Sequence, residues 1–267
     1  MRITRRNARF QQWEALLGNR AKRQRAGEFL VQGVRPIGLA VEGGWPVRAV
    51  LREDGRALSG WARGIVERAG GEVFEVAPEL MRELGEKSEE TPELLAVVEL
   101  PADDFSRFTV KEDFLGVVFD RPSSPGNIGT IIRSVDAFGG HGVVVAGHAA
   151  DPYDPKAVRA STGSLFSVPV VRARSHRDVI DWARDAGLTV VGTDEKGDAD
   201  IAEVDLTGPT LLVVGNETAG LSAGWREACE VMARIPITGT ASSLNAANAA
   251  TVVLYEAARQ RGVQSLA

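Results

Sequence analysis

Three stretches of this chain combine small, polar and charged residues of the kinds that bind anions and orient a reacting group. They run from Asp120 to Arg133, from Val213 to Leu221 and from Arg234 to Arg261. Each begins where an apolar strand pattern ends and leads towards a helical pattern. A helix start offers unpaired backbone N–H groups and a positive dipole end to a phosphate or carboxylate. The three stretches therefore predict ligand binding at loops that join strands to helices.

The first stretch is a loop followed by a helix start. Pro125 and Gly126 form a predicted turn, and Gly129 permits a close approach of another backbone. Asn127 can cap the helix or contact a ligand. Arg133 lies on the turns after Asn127, where a guanidinium is suited to gripping a phosphate. A surface arginine on a capped helix is the alternative interpretation of Arg133.

The second stretch has glycines at the start and end of a short loop, Gly215 and Gly220. A Walker phosphate loop is excluded, because Leu221 and Ser222 stand where that loop requires lysine and a hydroxyl residue. No Gly-x-Gly-x-x-Gly pattern follows a strand, so a nicotinamide dinucleotide fold is unsupported. Glu217 could bond a ligand amine or an arginine, or it could be a solvated turn carboxylate.

The third stretch is a strand ending at Ile237, a loop of small polar residues, and a helix predicted from Leu244 to Arg261. Ser242 and Ser243 are the predicted N-cap residues of this helix. Its first turns are mostly alanine, so another backbone or a flat ligand can pass closely. An ordinary packing helix is the alternative interpretation.

The elements around these stretches indicate an α/β fold. Nearly continuous apolar strands alternate with helical patterns, as is typical of a parallel sheet covered on both faces. The predicted strands are 115–119, 142–146, 188–192, 210–214 and 232–237, and the predicted helices are 128–138, 156–165, 177–186 and 223–231. Ligands of such sheets bind beyond the carboxyl ends of the strands. A smaller α/β unit precedes a linker at 101–109, so the predicted domains are 1–105 and 112–267.

Composition narrows the class of protein. The 267 residues are 25% charged and 44% hydrophobic, as in an ordinary globular protein. The single cysteine, Cys229, excludes an internal disulfide framework, and the three histidines lack metal-ligand spacing, so no metal site is expected. No apolar run is long enough for a membrane span, and the basic N-terminus lacks a signal-peptide core. A cytoplasmic protein without a membrane partner is predicted.

Charge is distributed unevenly along the chain. Residues 1–35 contain nine Lys or Arg and two Glu, whereas residues 36–107 contain eight basic and fifteen acidic residues. A cationic N-terminal arm on a chain of net charge −5 favours a polyanion partner, because phosphate neutralisation releases counterions. A solvated helix with a charged face is the alternative. The candidate RNA contacts in this region are Arg5, Arg6, Arg9, Arg23, Arg25 and Arg35.

The order and spacing of the three stretches resemble a known family. They contain Asn127-x-Gly129-x-x-x-Arg133, then Gly215-Asn216-Glu217-x-x-Gly220-Leu221, then Ile235-Pro-Ile with Ser243-Leu244-Asn245. This pattern resembles the three motifs of the SpoU/TrmH (SPOUT) family of RNA ribose methyltransferases. The segment from Arg159 to Phe166 is similar to the one between the first two motifs. The segment from Phe29 to Arg35 resembles the opening of the family's ribosomal-protein-like substrate-binding domain, with Gln32 in place of the usual glutamate.

The resemblance implies a C-terminal parallel-sheet domain with a deep trefoil knot, S-adenosylmethionine as cofactor, and a homodimer whose interface completes the site. By position, the implied cofactor-binding residues are Gly192, Thr193, Gly215, Ile235 and Leu244. The implied catalytic surface consists of Asn127, Arg133, Glu217, Ser243 and Asn245. Arg159 would reach RNA. The family's suggested base is Arg133, but a guanidinium with a pKa above about 12 is better suited to gripping phosphate and stabilising developing negative charge.

The resemblance predicts an S-adenosylmethionine-dependent methyltransferase that acts on a ribose 2′-hydroxyl of RNA. The additional N-terminal domain favours ribosomal over transfer RNA as the substrate. A non-catalytic RNA-binding or ribosome-assembly protein that keeps the fold is the alternative, and the intact motif residues argue against it. A cofactor-dependent enzyme acting on a base or a small molecule is a third hypothesis.

Overall fold

The computed structural model describes residues 1–86 and 91–262. The chain forms two compact units by its internal contacts. The first comprises Met1–Pro101 and Tyr153–Ser167, and the second comprises Ala102–Pro152 and Val168–Ala267, of which 263–267 lie outside the described residues. The predicted boundaries, 1–105 and 112–267, place the segment 153–167 with the C-terminal domain, whereas its contacts place it in the first unit.

The first unit is a mixed sheet with helices. Its strands are β1 (Arg2–Ile3), β2 (Glu28–Gln32), β3 (Val47–Glu53), β4 (Glu72–Val76) and β5 (Leu94–Glu99), in the order β1-β4-β3-β5-β2. Its helices up to residue 101 are α1 (Ala8–Gly18), α2 (Arg20–Ala26), α3 (Val34–Glu42), α4 (Gly60–Arg68) and α5 (Pro78–Leu84). Strand β5 runs antiparallel to both β2 and β3, while β1, β3 and β4 run parallel.

The N-terminal arm is part of this sheet rather than a frayed tail. Strand β1 pairs with β4, and Ile3, Phe10 and Trp13 are buried in the core of the unit. Helices α1 and α2 are separated at Asn19, whose side chain accepts from the N–H of Lys22 and caps α2. Strand β1 was not predicted, because two residues carry no periodicity.

The segment 153–167 contains the helix α6 (Pro155–Ser161) and a short 3₁₀ turn, and aromatic packing holds it within the first unit. Tyr153 and Phe166 flank Phe29, with ring centroids 5.0 Å and 6.3 Å away. The indole Nε1 of Trp45 donates to the backbone carbonyl of Phe166 at 3.1 Å. The predicted helix 156–165 ends earlier, since Thr162 and Gly163 both have positive φ.

The second unit is built on a parallel sheet, as predicted, and this sheet has seven strands rather than the five predicted ones. Its strands are β6 (Leu115–Asp120), β7 (Gly142–Ala146), β8 (Val170–Ala173), β9 (Thr189–Thr193), β10 (Ala199–Asp200), β11 (Thr210–Val214) and β12 (Val231–Arg234). Its helices are α7 (Pro125–Ala137), α8 (His176–Asp185), α9 (Ala223–Ala228) and α10 (Ala246–Gln260). The strand order is β10-β12-β9-β11-β6-β7-β8. Strands β8 and β10 were not predicted.

Parallel pairing brings the carboxyl ends of β6, β9, β11 and β12 to one edge of the sheet. The polar loops of the three stretches follow β6, β11 and β12, so they meet at that edge. Strand β12 ends at Arg234 rather than Ile237, since Pro236 has no N–H for a ladder bond. The trefoil knot implied by the resemblance stays a prediction.

The structure corrects the predicted caps of both helices next to this edge. Ser124, rather than the candidate Asn127, caps α7, which begins at Pro125 instead of residue 128, and the apolar face of α7 is buried. For α10, the prediction of Ser242 or Ser243 is wrong. Asn245 caps that helix, and its side-chain oxygen accepts from the N–H groups of Ala247 and Asn248 at 2.9 Å and 3.3 Å.

Candidate active site

A cavity of about 480 Å³ lies at the carboxyl edge of the parallel sheet in the second unit. Three loops form most of its wall: the residues after β9, the loop between β11 and α9, and the segment between β12 and α10. Its lining includes Thr193, Asp194, Glu195, Lys196, Gly215, Glu217, Gly220, Arg226, Ile235, Ile237, Ser243, Leu244, Ala246 and Ala249. A cavity at this edge is where an α/β sheet binds its ligand.

Glu217 is the centre of a hydrogen-bond cluster at this cavity. Its Oε2 accepts from the backbone N–H and the hydroxyl of Ser123, both at 2.9 Å. Its Oε1 accepts from the N–H of Ser124 at 3.1 Å and from Nδ2 of Asn127 at 3.0 Å. The loop after β11 is thus hydrogen-bonded to the loop before α7 and to the first turn of α7.

The same bonds determine the ionisation of Glu217. Burial raises the pKa of its carboxyl group, but the hydrogen bonds from Ser123 and Asn127 outweigh burial and hold the pKa below its ordinary value of 4.5. Glu217 is therefore a carboxylate at neutral pH, with its lone pairs occupied by donors. This arrangement suits an orienting role rather than proton transfer.

Asn127 links Glu217 to the start of α10. Its Oδ1 accepts from Nδ2 of Asn245 at 3.3 Å, while its Nδ2 donates to Glu217. The Asn245 side-chain oxygen also caps α10, so both the oxygen and the nitrogen of its amide group are hydrogen-bonded. The chain Glu217–Asn127–Asn245 therefore joins one residue from each of the three stretches into one continuous structure.

The predicted cofactor residues are placed as follows. Thr193, Gly215, Ile235 and Leu244 line the cavity. Gly192 does not appear in its wall: it is buried, and a Cβ there would lie 2.6 Å from the sulfur of Met232 and 2.7 Å from that of Cys229. The glycine at 192 therefore serves close packing beneath the cavity.

The predicted catalytic residues separate into two groups. Asn127, Glu217 and Asn245 are joined by hydrogen bonds, and Ser243 lines the cavity. Arg133 lies elsewhere on α7, six residues and thus about 9 Å along the helix axis from Asn127. Its side chain is exposed, and within residues 1–86 and 91–262 it makes no ion pair or hydrogen bond. It is a cation available to a ligand.

Comparison with known proteins identifies the family. The SpoU rRNA Methylase family matches residues 115–255, and the SpoU L30e-like domain matches residues 7–96. The chain belongs to the SpoU rRNA methylase family. The 23S rRNA (uridine(2479)-2′-O)-methyltransferase of Streptomyces viridochromogenes is 64% identical over 265 residues, which is 97% of this chain and 92% of that protein.

Two solved structures match over nearly the whole chain. The crystal structure of the SpoU methyltransferase AviRb from Streptomyces viridochromogenes in complex with AdoMet has a TM-score of 0.92 and 63% identity, covering 97% of this chain and 100% of that one. An AdoMet-bound rRNA methyltransferase from Sinorhizobium meliloti has a TM-score of 0.89 and 30% identity, covering 99% of both chains.

The candidate RNA contacts of this SpoU protein differ in availability. Arg23 is only 2% exposed and donates to the carbonyls of Leu16 and Leu17 at the end of α1, so its prediction as an RNA contact is corrected to a structural role. Arg6 is ion-paired with Glu14 and Glu83. The remaining four in the N-terminal region are exposed and without an ion pair in the described chain: Arg5, Arg9, Arg25 and Arg35.

Arg159 lies on α6 in the first unit. Its Nη1 is 2.6 Å from the Glu86 carboxylate, and it also bonds the Gln32 side chain at 2.9 Å when that amide donates to the carbonyl of Gly85. Two acceptors thus hold the guanidinium, and contact with RNA would have to compete with them.

Sequence reasoning missed the residues that support the site. Ser123 and Ser124 supply three of the bonds to Glu217, and no local pattern marked them as its partners. Burial raises the pKa of the Cys229 thiol to about 12, so this residue is not a nucleophile at neutral pH.

Proposed function

We propose that this protein is an S-adenosylmethionine-dependent methyltransferase that modifies the ribose 2′-hydroxyl of a uridine in 23S ribosomal RNA. The observation that carries the proposal is the cavity bordered by the chain Glu217–Asn127–Asn245, in a protein 64% identical to an enzyme of that name. A ribosomal RNA substrate implies action in the cytoplasm.

The cavity fits the cofactor in size and in the chemistry of its walls. Its volume of about 480 Å³ falls in the range of small-molecule sites, roughly 300–1,000 Å³. Residues 237–244 make no hydrogen bond to any other part of the described chain, so the backbone around Leu244 is available to a ligand. Alanines 246 and 249 leave room for a flat group. When bound, the cofactor supplies an electrophilic methyl group on a sulfonium.

The residues at the rim would position the ribose hydroxyl. Asn127 and Asn245 each keep one amide N–H beyond the bonds they make to each other and to Glu217, and the Ser243 hydroxyl is exposed. Holding a nucleophile in line for attack can lower the activation free energy by several kcal/mol. Arg133 would grip the adjacent phosphate and stabilise the negative charge that develops on the ribose oxygen.

We include a homodimer in the proposal. Helix α10 exposes two large apolar side chains, with Val252 38% and Tyr255 57% exposed, and Asn248 lies exposed on the same helix. Burial of this surface against a second copy would remove it from water. Sedimentation equilibrium is expected to give twice the 28.5 kDa mass of one chain, and a monomer at micromolar concentration would contradict the dimer.

Filling the cavity is expected to weaken cofactor binding. Gly215 is unsuitable for this substitution, because a Cβ there would lie 2.4 Å from the backbone of Gly220 and distort the loop. Ala249→Trp instead places an indole in the cavity from the wall formed by α10. Isothermal titration with S-adenosylmethionine is expected to show at least roughly ten-fold weaker binding, because the indole occupies the ligand's volume.

The control for this titration is Ala202→Trp, the same substitution at an exposed position of the second unit outside the cavity. It is expected to bind like the wild type. Equal affinity in Ala249→Trp and wild type would place the cofactor elsewhere. A folded wild type that neither binds the cofactor nor methylates 23S RNA would favour the non-catalytic RNA-binding alternative.

Neutralising the four N-terminal arginine candidates that are exposed and make no ion pair in the described chain is expected to weaken RNA binding and its dependence on salt. Deleting the arm would remove Ile3, Phe10 and Trp13 from the core, so point substitutions to glutamine are the sharper test. Each lost phosphate contact reduces the magnitude of the negative slope of log affinity against log salt by about 0.7–0.9. A decrease in this magnitude of about 3 is expected if all four contact phosphates. The residues are Arg5, Arg9, Arg25 and Arg35.

Filter binding of a 23S fragment at several salt concentrations measures this slope. The control replaces an equal number of exposed cations in the second unit, namely Lys111, Arg174, Arg177 and Arg184. An unchanged slope in the first variant, or an equal decrease in both, would refute the assignment of the RNA surface to these arginines.

A further inference from the structure

Arg121 adopts a backbone conformation that is unfavourable for its residue type. It follows the last residue of β6 and has a φ of 51°, in the left-handed region that favours glycine. A non-glycine residue in this region is strained and persists only where its surroundings impose the conformation. Neither the conformation nor the side chain of Arg121 was singled out by the sequence.

Arg121 makes contacts through both its backbone and its guanidinium. Its N–H donates to the carbonyl of Ala146 at 2.9 Å, and its own carbonyl accepts from Nδ2 of Asn216 at 2.7 Å. Its Nε lies 3.2 Å from both oxygens of Asp120, and its Nη2 donates to the carbonyl of Gly220 at 3.1 Å. The guanidinium thus bridges the end of β6 to the far end of the loop after β11.

The neighbours of Arg121 are arranged to hold this bridge. Asp120 is only 2% exposed, and its Oδ2 also accepts from the N–H of Ser222 at 2.9 Å. Gly147 lies against the aliphatic part of the Arg121 side chain. A Cβ added at position 147 would lie 2.8 Å from Cγ of Arg121. Asn216 and Gly220 pair with each other through both backbone groups, at 3.1 Å and 3.0 Å. The loop 216–222 is therefore fixed at both ends.

The fixed loop carries Glu217 and part of the cavity wall. Glu217 reaches Ser123, Ser124 and Asn127 from this loop, and Gly215 and Gly220 line the cavity. We propose that Arg121, together with Asp120, is a positioning residue: it holds the loop 216–222 so that Glu217 orients Asn127 for the transfer reaction. The inference rests on the proposed function and adds a residue outside the three motifs.

Three variants separate positioning from a role in stability alone. Arg121→Gly and Arg121→Ala both remove the guanidinium, but glycine accepts a positive φ without cost, so R121G is expected to melt a few degrees above R121A. Arg121→Lys keeps a cation next to Asp120, but a single ammonium lacks the second arm that reaches Gly220. Turnover on 23S RNA is measured at saturating RNA and cofactor, well below the lowest melting temperature.

The expected result is a decrease in kcat of about ten-fold or more in all three variants, similar in R121G and R121A despite their different stabilities, with KM for RNA within twofold of wild type. If Arg121 acts on stability alone, kcat follows the folded fraction. Fully folded variants with the kcat of the wild type would therefore overturn the proposal.

Hydrogen exchange gives a readout independent of activity. The amides of Ser123 and Ser124 are expected to exchange faster in the variants, and unchanged exchange would also overturn the proposal. An inactive wild type would instead refute the proposed function.

Discussion

Arg133→Ala is expected to lower the rate of methyl transfer at least about 100-fold while leaving cofactor affinity within about twofold of the wild type. Loss of one preorganised charge-stabilising donor typically costs about 10²–10³ in kcat. Cofactor binding is spared because Arg133 does not line the cavity. Stability is spared because the side chain is exposed and makes no bond in the described chain. The measurement is single-turnover transfer of labelled methyl groups to a 23S fragment.

The matched control for Arg133 is Arg174→Ala. Arg174 is also exposed in the second unit and has no bond in the described chain. Its variant is expected to keep wild-type turnover. Arg133→Lys is expected to recover only part of the rate, because an ammonium cannot form the two-pronged contact with a phosphate. Equal turnover in Arg133→Ala and wild type would remove Arg133 from the catalytic surface.

Glu217→Gln is expected to reduce turnover about 100-fold and to destabilise the protein by about 1–3 kcal/mol, the cost of leaving partly buried donors unsatisfied. A glutamine has one acceptor oxygen, and its NH₂ group would face the N–H and hydroxyl of Ser123 or the amide of Asn127. Asn127 would then lose its fixed orientation towards Asn245. Thermal unfolding and single-turnover transfer measure the two effects.

The control for Glu217 is Glu195→Gln, the same change at an exposed carboxylate of the cavity wall that has no bond in the described chain. It is expected to keep wild-type stability. Similar unfolding temperatures and methyl-transfer rates in the wild type, Glu217→Gln and Glu195→Gln would show that the hydrogen-bond cluster around Glu217 contributes neither to stability nor to turnover.

The stability contributed by Glu217 should depend on pH with a defined sign. Its folded pKa is below the ordinary value of 4.5, so the ionised form favours the folded state. The contribution is complete above pH 4.5 and is lost as the pH falls through the lowered pKa. The melting temperatures of wild type and Glu217→Gln are therefore expected to differ at neutral pH and to converge below pH 4.5.

The amino-acid sequence by itself determined the parallel sheet and the three loops that carry the candidate site. Apolar runs such as 142–146 and 210–214 became strands with the predicted bounds, because a buried parallel strand needs a continuous apolar segment. The motif spacing placed Asn127, Glu217 and Asn245 in loops or at helix starts at one sheet edge. These features are local, so a short stretch of sequence contains them.

Only the tertiary structure decided which side chains act together. Glu217 bonds to Ser123, 94 residues away, and Asn245 to Asn127, 118 residues away. Among similar N-terminal arginines, Arg23 became a buried support while Arg25 stayed exposed. The cap of α10 fell on Asn245 rather than on the serines before it. Capping, ion pairing and burial depend on which surfaces meet after folding, and distant segments supply those surfaces.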